Sequence, residues 1–217
     1  MKVHIISIFP EAFNSYFSSS IIWRAIDLNF FDPIFYKLSD YSVKKFRHID
    51  DKAYGMHWQV LSPEPLSKAI DFIFEKVWKK IPVIFLTPSW DLLNQELVED
   101  CYEKLEREFV VICWHYEWID ERIIEFYEVK KISIWDYIVS SWELSTMVFL
   151  DSLVRHIPWV LWNQESLLED SFSKKLDRQK EYPVYTRPQE FLWLRVPDVL
   201  VSWNHKEIEK WKRENLR

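Results

Sequence analysis

The chain carries a single glycine, Gly55, in 217 residues, where ordinary usage of about 7% would supply roughly 15. Glycine lets a backbone turn through positive φ and lie close to a ligand, so a chain nearly without it lacks the usual means of building tight polar loops. Cysteine is scarce too: Cys101 and Cys113 allow no disulfide framework, and their spacing suits no zinc site. No apolar run approaches the roughly 20 residues of a membrane span. Met1 to Pro10 is too short for a signal-peptide core and reads as a first strand, so the expected location is cytoplasmic, with no membrane partner. Positive charge is in deficit, since 28 Lys and Arg face 34 Asp and Glu for a net charge of −6. That balance argues against a general nucleic-acid binder, and any RNA contact has to rest on local basic clusters.

Tryptophan is what the chain has in excess, with 13 residues. Hydrophobic residues make up 48%, enough for one good core and a small appended unit at this length. Apolar runs at Lys2–Phe9, Pro33–Leu38, Val83–Thr87, Phe109–Cys113 and Lys131–Ile134 read as strands. Helical patterns fall between them at about 18–29, 65–77, 91–107, 120–127 and 143–155. Pro65 opens one of these, with Leu66, Ala69, Ile70, Ile73 and Val77 on a single face. Strands alternating with helices predict an α/β fold on a parallel sheet. The stretch 40–63 has no period and reads as a long loop. So does 159–181, taken as a linker between a domain at 1–158 and a small helical unit at 182–217. In that last unit Asn204, followed three residues on by Glu207, resembles a capping box.

Three of the strands run into polar loops: Leu86-Thr-Pro-Ser-Trp90, Cys113-Trp-His-Tyr-Glu-Trp-Ile-Asp-Glu-Arg122, and Ser133-Ile-Trp-Asp-Tyr-Ile-Val-Ser-Ser-Trp142 before the helix opening at Glu143. The carboxyl ends of parallel strands are where such folds present free backbone groups to a ligand. These three loops are the candidate cofactor site. Asp170, in Glu-Asp-Ser-Phe, reads equally well as a helix N-cap or as a base, and Arg155 as a charge favourable to a helix C-terminus. Lys174, Lys175, Arg178, Lys180 and Arg187 form one basic cluster, and Lys206, Lys210, Lys212, Arg213 and Arg217 another. Most such runs are solvated surface. A serine hydrolase built on His156 and Asp170 lacks any nucleophile-elbow motif to support it.

The loops, in order and spacing, resemble the bacterial tRNA (guanine-N1) methyltransferase family, usually called TrmD. The family reads roughly Leu-Ser-Pro-Gln-Gly, then Cys-Gly-Arg-Tyr-Glu-Gly-Ile-Asp-Glu-Arg, then Ser-Ile-Gly-Asp-Tyr-Val-Leu-Ser-Gly-Gly-Glu-Leu-Pro. The likeness continues through Ile49-Asp-Asp-Lys-Ala-Tyr-Gly55, Ser62-Pro-Glu-Pro-Leu66, Asp151-Ser-Leu-Val-Arg-His-Ile-Pro158, Tyr185-Thr-Arg-Pro188 and Val196-Pro-Asp-Val-Leu-Val-Ser-Trp-Asn-His205. It implies methylation of N1 of the guanosine at position 37 of tRNA by S-adenosyl-L-methionine, a trefoil-knotted cofactor domain of the SPOUT class, a homodimer with its active site at the subunit interface, and room for magnesium. By the same resemblance Asp170 is the general base and Arg155 the catalytic arginine. The cofactor falls to Leu86, Pro88, Trp90, Trp114, Tyr116, Glu117, Ser133, Ile134, Trp135, Asp136, Tyr137, Ile138, Val139 and Trp142. The tRNA falls to Asp50, Asp51, Lys174, Lys175, Arg187, Asn204 and His205. His115 stands where the family has arginine, and the family usually continues beyond residue 217.

Where the family has glycine, this chain usually has tryptophan: Trp23, Trp58, Trp90, Trp114, Trp118, Trp135, Trp142, Trp159, Trp162, Trp193 and Trp203, with Trp78 a twelfth case. Exchanging the smallest residue for the largest at ligand-facing loops has no physical rationale. A UGA codon read as glycine by the cell and written as tryptophan accounts for all of them at once. The alternative is a genuinely Trp-rich, non-catalytic RNA-binding protein of the same fold.

Overall fold

The computed structural model describes residues 1–55, 57, 59–88, 90–105, 107–113, 119–162 and 169–217. The chain divides into two compact units, Met1–Leu161 and Trp162–Arg217.

The first unit is built on five parallel strands in the order β2-β1-β6-β5-β7. They are β1 (Lys2–Ser7), β2 (Asp32–Lys37), β5 (Val83–Leu86), β6 (Glu108–Ile112) and β7 (Lys130–Ile132). The inner strands are continuous apolar runs because helices cover both faces of such a sheet. Val83 to Leu86 and Phe109 to Ile112 are all buried. Around the sheet lie α1 (Asn14–Phe17), α2 (Ser20–Asp27), α3 (Pro63–Val77), α4 (Gln95–Lys104), α5 (Glu121–Phe126) and α6 (Trp142–Val154). Helix α6 is apolar almost all round and buries Phe149, Leu150, Leu153 and Val154 in the core. Truncating a core phenylalanine such as Phe149 to alanine costs about 3–5 kcal/mol.

The expected strands and helices are present, with bounds shifted by up to four residues, and the sheet is parallel as expected. The stretch 40–63 differs from the loop expected there. It holds a hairpin of β3 (Asp50–Lys52) and β4 (Gln59–Leu61), paired Asp50 to Leu61. The charged face of β3 carries no apolar alternation to reveal it.

The second unit folds around α8 (His205–Glu214), preceded by the short helix α7 (Asp198–Val201) and a hairpin of β8 (Glu190–Phe191) and β9 (Leu194–Arg195). Its described residues 169–181 are not the linker expected from the sequence. Lys180 and Arg217 exchange both backbone hydrogen bonds, at 3.0 and 3.2 Å. Glu169 meets Lys175 at 2.7 Å, Tyr182 at 3.0 Å and Lys212 at 3.6 Å. Ion pairs and backbone bonds hold this segment to α8, and neither leaves a hydrophobic period in the sequence.

Among the described residues, three tryptophans sit in the left-handed region that favours glycine: Trp78 at φ 59°, Trp159 at 72° and Trp203 at 58°. Trp78 terminates α3 in this conformation, the place where glycine most often ends a helix.

Candidate active site

All five strands point the same way, so Ser7, Leu86, Ile112 and Ile132 end along one edge of the sheet. Two of the candidate loops are stitched together there. Thr87 N–H donates to the Ile132 carbonyl at 2.9 Å, Ser133 N–H to Asp91 O at 2.9 Å, and Leu93 N–H to Ser133 O at 2.7 Å. Leu86 and Ser133 are buried at the base of this seam, whereas Pro88 and Trp90 are exposed. The Lys131 ammonium lies 5.0 Å from the centre of the Trp90 ring.

Beyond Ser133 the backbone is irregular until α6 begins at Trp142. A single internal bond shapes the start of this loop, Ser133 Oγ–H to the Trp135 carbonyl at 3.1 Å. Among the described residues, no hydrogen bond is donated by the backbone N–H groups of Ile134, Trp135, Asp136, Tyr137, Ile138, Val139 or Ser140. Trp135, Asp136, Tyr137 and Ile138 are exposed and Ile134 and Val139 half-buried. A run of unpaired donors beside a helix N-terminus is chemically suited to the carboxylate, ribose and adenine acceptors of a nucleoside-type ligand. Trp142 differs from the ligand-facing placement expected of it: its ring is buried, 6.2 Å from that of Phe85.

Trp114, Tyr116 and Glu117 lie outside the described residues. Cys113 is fully buried, with Sγ 3.0 Å from Thr146 Oγ1, and burial pushes its thiol well above the usual range. It is a packed group without thiolate character. Farther on, Asp120 caps α5 and grips Arg122 at 2.7 Å, which holds the Asp120 carboxyl below its usual range.

The polar groups beneath the loop 134–140 were missed by the sequence reading. Glu143, in the first turn of α6, is 1% exposed. Its Oε1 accepts from Ser7 Oγ at 2.7 Å and its Oε2 from Ser141 Oγ at 2.7 Å. The signal available was a carboxylate at the first turn of an otherwise apolar helix, where the helix dipole favours it.

Arg155 is half-buried at the C-cap of α6, at the opposite end of that helix from the loop. Asp170, in the second unit, accepts at its carbonyl from Ser173 N–H at 3.1 Å. No helix starts after it: the next helical turn is the 3-10 turn Lys174–Leu176, preceded by Ser173, so the N-cap alternative for Asp170 falls away.

Among the residues expected to meet RNA, Asp51 is bound by Lys44 Nζ at 2.9 Å, and that ammonium also reaches Asp50 O and Ser62 Oγ. The Lys44 bond holds the Asp51 carboxyl below its usual range. Lys174 and Lys175 lie on the 3-10 turn, Arg187 is exposed, and His205 opens α8. Asn204 has a structural task, accepting from Glu207 N–H as the N-cap of α8. Among the described residues, no group of three or more His, Cys, Asp or Glu is placed to hold a metal, and no helix is long and apolar enough to cross a membrane.

The family model described as tRNA (Guanine-1)-methyltransferase TrmD matches residues 1–217. This chain belongs to the TrmD family. It is 39% identical over 216 residues to a tRNA (guanine-N(1)-)-methyltransferase of Clostridioides difficile strain 630, covering 99% of this chain and 91% of that one. It is 38% identical over 219 residues to the protein of that name from Bacillus cereus strain AH820, covering 100% and 88%. Its fold matches the crystal structure of tRNA (m1G37) methyltransferase from Aquifex aeolicus with a TM-score of 0.77 at 31% identity, over 99% of this chain and 88% of that one.

Proposed function

We propose that the chain methylates N1 of the guanosine at position 37 of tRNA, taking the methyl group from S-adenosyl-L-methionine, and that it works in the cytoplasm as a homodimer. The observation that carries this reading is the run of backbone donors from Ile134 to Ser140 left unpaired among the described residues, at the C-terminal edge of a parallel sheet in a TrmD-family chain. The sulfonium of S-adenosyl-L-methionine supplies an electrophilic methyl group. The loop 134–140 and the seam at Leu86, Pro88 and Ser133 hold and orient that donor, with Tyr116 and Glu117 assigned to the same task by the family pattern. We assign the trefoil knot to the segments carrying these loops on the same ground.

The remaining chemistry belongs to side chains. Asp170 accepts the N1 proton as the new N–CH₃ bond forms, and the Arg155 guanidinium stabilises the negative charge that gathers on O6. Lys174, Lys175 and Arg187 contact phosphates, which are the only recognition their charges can supply without base readout. In the homodimer, Asp170 of one chain serves the cofactor loop of its partner. Chelation tests magnesium: activity that survives excess EDTA removes the metal from the scheme.

We also propose that the natural polypeptide carries glycine at the tryptophan positions that match family glycines. The positive φ values at Trp78, Trp159 and Trp203 support this at those three positions, because a bulky side chain is strained there and glycine is not. Mass spectrometry of peptides from the cell's own protein reads the residue directly; tryptophan at these positions sinks the idea. The functional reading is tested by calorimetric titration with S-adenosyl-L-methionine. Saturable one-to-one binding per chain is expected, and no binding by the natural polypeptide favours a non-catalytic RNA-binding protein.

A further inference from the structure

We infer that Glu143 is a positioning residue that sets the shape of the cofactor loop by tying its exit to the first strand of the sheet; the inference rests on the proposed function for its meaning but not for its geometry. Glu143 is buried, and its two carboxylate oxygens face opposite partners. Oε1 accepts from Ser7 Oγ, at the end of β1, and Oε2 accepts from Ser141 Oγ, the last residue before α6. Ser7 Oγ in turn accepts from Phe9 N–H at 3.0 Å, which fixes the turn leaving β1. A chain of three hydrogen bonds thus runs from Phe9 through Ser7 and Glu143 to Ser141.

A carboxylate is acceptor-only, so it fixes both serine hydroxyls as donors, and one rotamer of Glu143 sets both arms together. The Cys113 to Thr146 contact at 3.0 Å ties the end of β6 to the second turn of α6. It leaves Ser141 as the point where the free loop backbone meets a rigid frame. The loop 134–140 makes no backbone bonds of its own through its N–H groups among the described residues, so its geometry is inherited from its two anchors, Ser133 and Ser141. Losing one arm, a hydrogen bond to a charged acceptor, is enough to weaken a binding constant that depends on the loop's shape by about tenfold.

Removing Glu143 itself risks the fold, so the test uses Ser7→Ala, which lies on the far arm and outside the loop, with Glu143→Gln as the conservative partner. Two readouts are taken on the natural polypeptide: deuterium uptake of the peptide spanning 133–142 without any ligand, and the Kd for S-adenosyl-L-methionine. Ser7→Ala is expected to speed exchange in 133–142 while leaving β6 at the wild-type rate, and to raise the Kd about tenfold. Glu143→Gln, which keeps the shape and still accepts one serine, is expected to fall between Ser7→Ala and wild type. Exchange in 133–142 unchanged by Ser7→Ala overturns the inference, as does a Kd within twofold of a wild-type chain that binds. A wild-type chain that does not bind removes the proposed function instead, and the exchange comparison still decides the bridge.

Discussion

Arg155 closes the C-terminal end of the helix whose first turn carries Glu143, and at about 1.5 Å per residue the two are separated by roughly 18 Å. Within one chain, therefore, the assigned cation and the loop assigned to the methyl donor lie at opposite ends of a rigid rod. A guanine base is much shorter than that separation, which favours drawing the two groups at one reacting base from different subunits.

That separation makes complementation the natural test of a two-fold assembly. A chain altered at Tyr137 and a chain carrying Asp170→Asn, each inactive alone, should recover activity when mixed and allowed to exchange. Random pairing gives half mixed dimers with one intact site in two, so about a quarter of wild-type activity is expected. Recovery of none, with exchange demonstrated by labelled chains, would place all the groups in one subunit.

The proposed general base makes a sharper prediction. Asp170→Asn keeps the shape of the side chain and removes its ability to take a proton. It should lower single-turnover methyl transfer by about 10²- to 10⁴-fold with the Kd for S-adenosyl-L-methionine unchanged. A loss below threefold would move the base to another residue.

Tryptophan in the left-handed region is strained, and the strain is measurable in the chain as written. Trp78 is almost wholly exposed, so replacing it with glycine gives up little burial. A left-handed non-glycine residue costs about 1–2 kcal/mol, of which the greater unfolded-state freedom of glycine takes back about 0.4–1. Trp78→Gly should thus stabilise the chain by about 0.5–1 kcal/mol in urea unfolding. A destabilised variant would argue that tryptophan belongs there.

His4 provides a pH dependence. It is buried in β1, with Nδ1 2.9 Å from the Tyr36 hydroxyl and Nε2 3.4 Å from Glu108. Burial lowers its pKa below the usual 6.5, against the raising effect of Glu108. The unfolded chain then binds more protons than the folded one below that value, so stability falls as pH drops through about 6.5 and below. His4→Gln should flatten this part of the stability profile; an unchanged slope would assign it to other groups.

The core strands were legible because Val83 to Leu86 and Phe109 to Ile112 are apolar at every position, as burial on both faces requires. Their order across the sheet was not, since β1 lies between β2 and β6 through crossovers that leave no mark in local sequence. The hairpin at Asp50 to Leu61 and the fold of residues 169–181 escaped for a related reason: they are held by Lys44, Glu169 and backbone bonds rather than by an apolar face. In the candidate site, the loops stood out by their strand-then-loop form and family pattern. Glu143 was not, because a glutamate in a first helical turn is ordinary until its burial and its two serine partners are seen.

The most direct test of the central claim is to incubate the natural polypeptide with S-adenosyl-L-methionine and a tRNA bearing guanosine at position 37, then locate the product by mass spectrometry of nuclease fragments. The account predicts one methyl group on N1 of that guanosine, and none on a transcript with adenosine there. Methylation at another atom or another position, or none with a tRNA that the protein demonstrably binds, would contradict it.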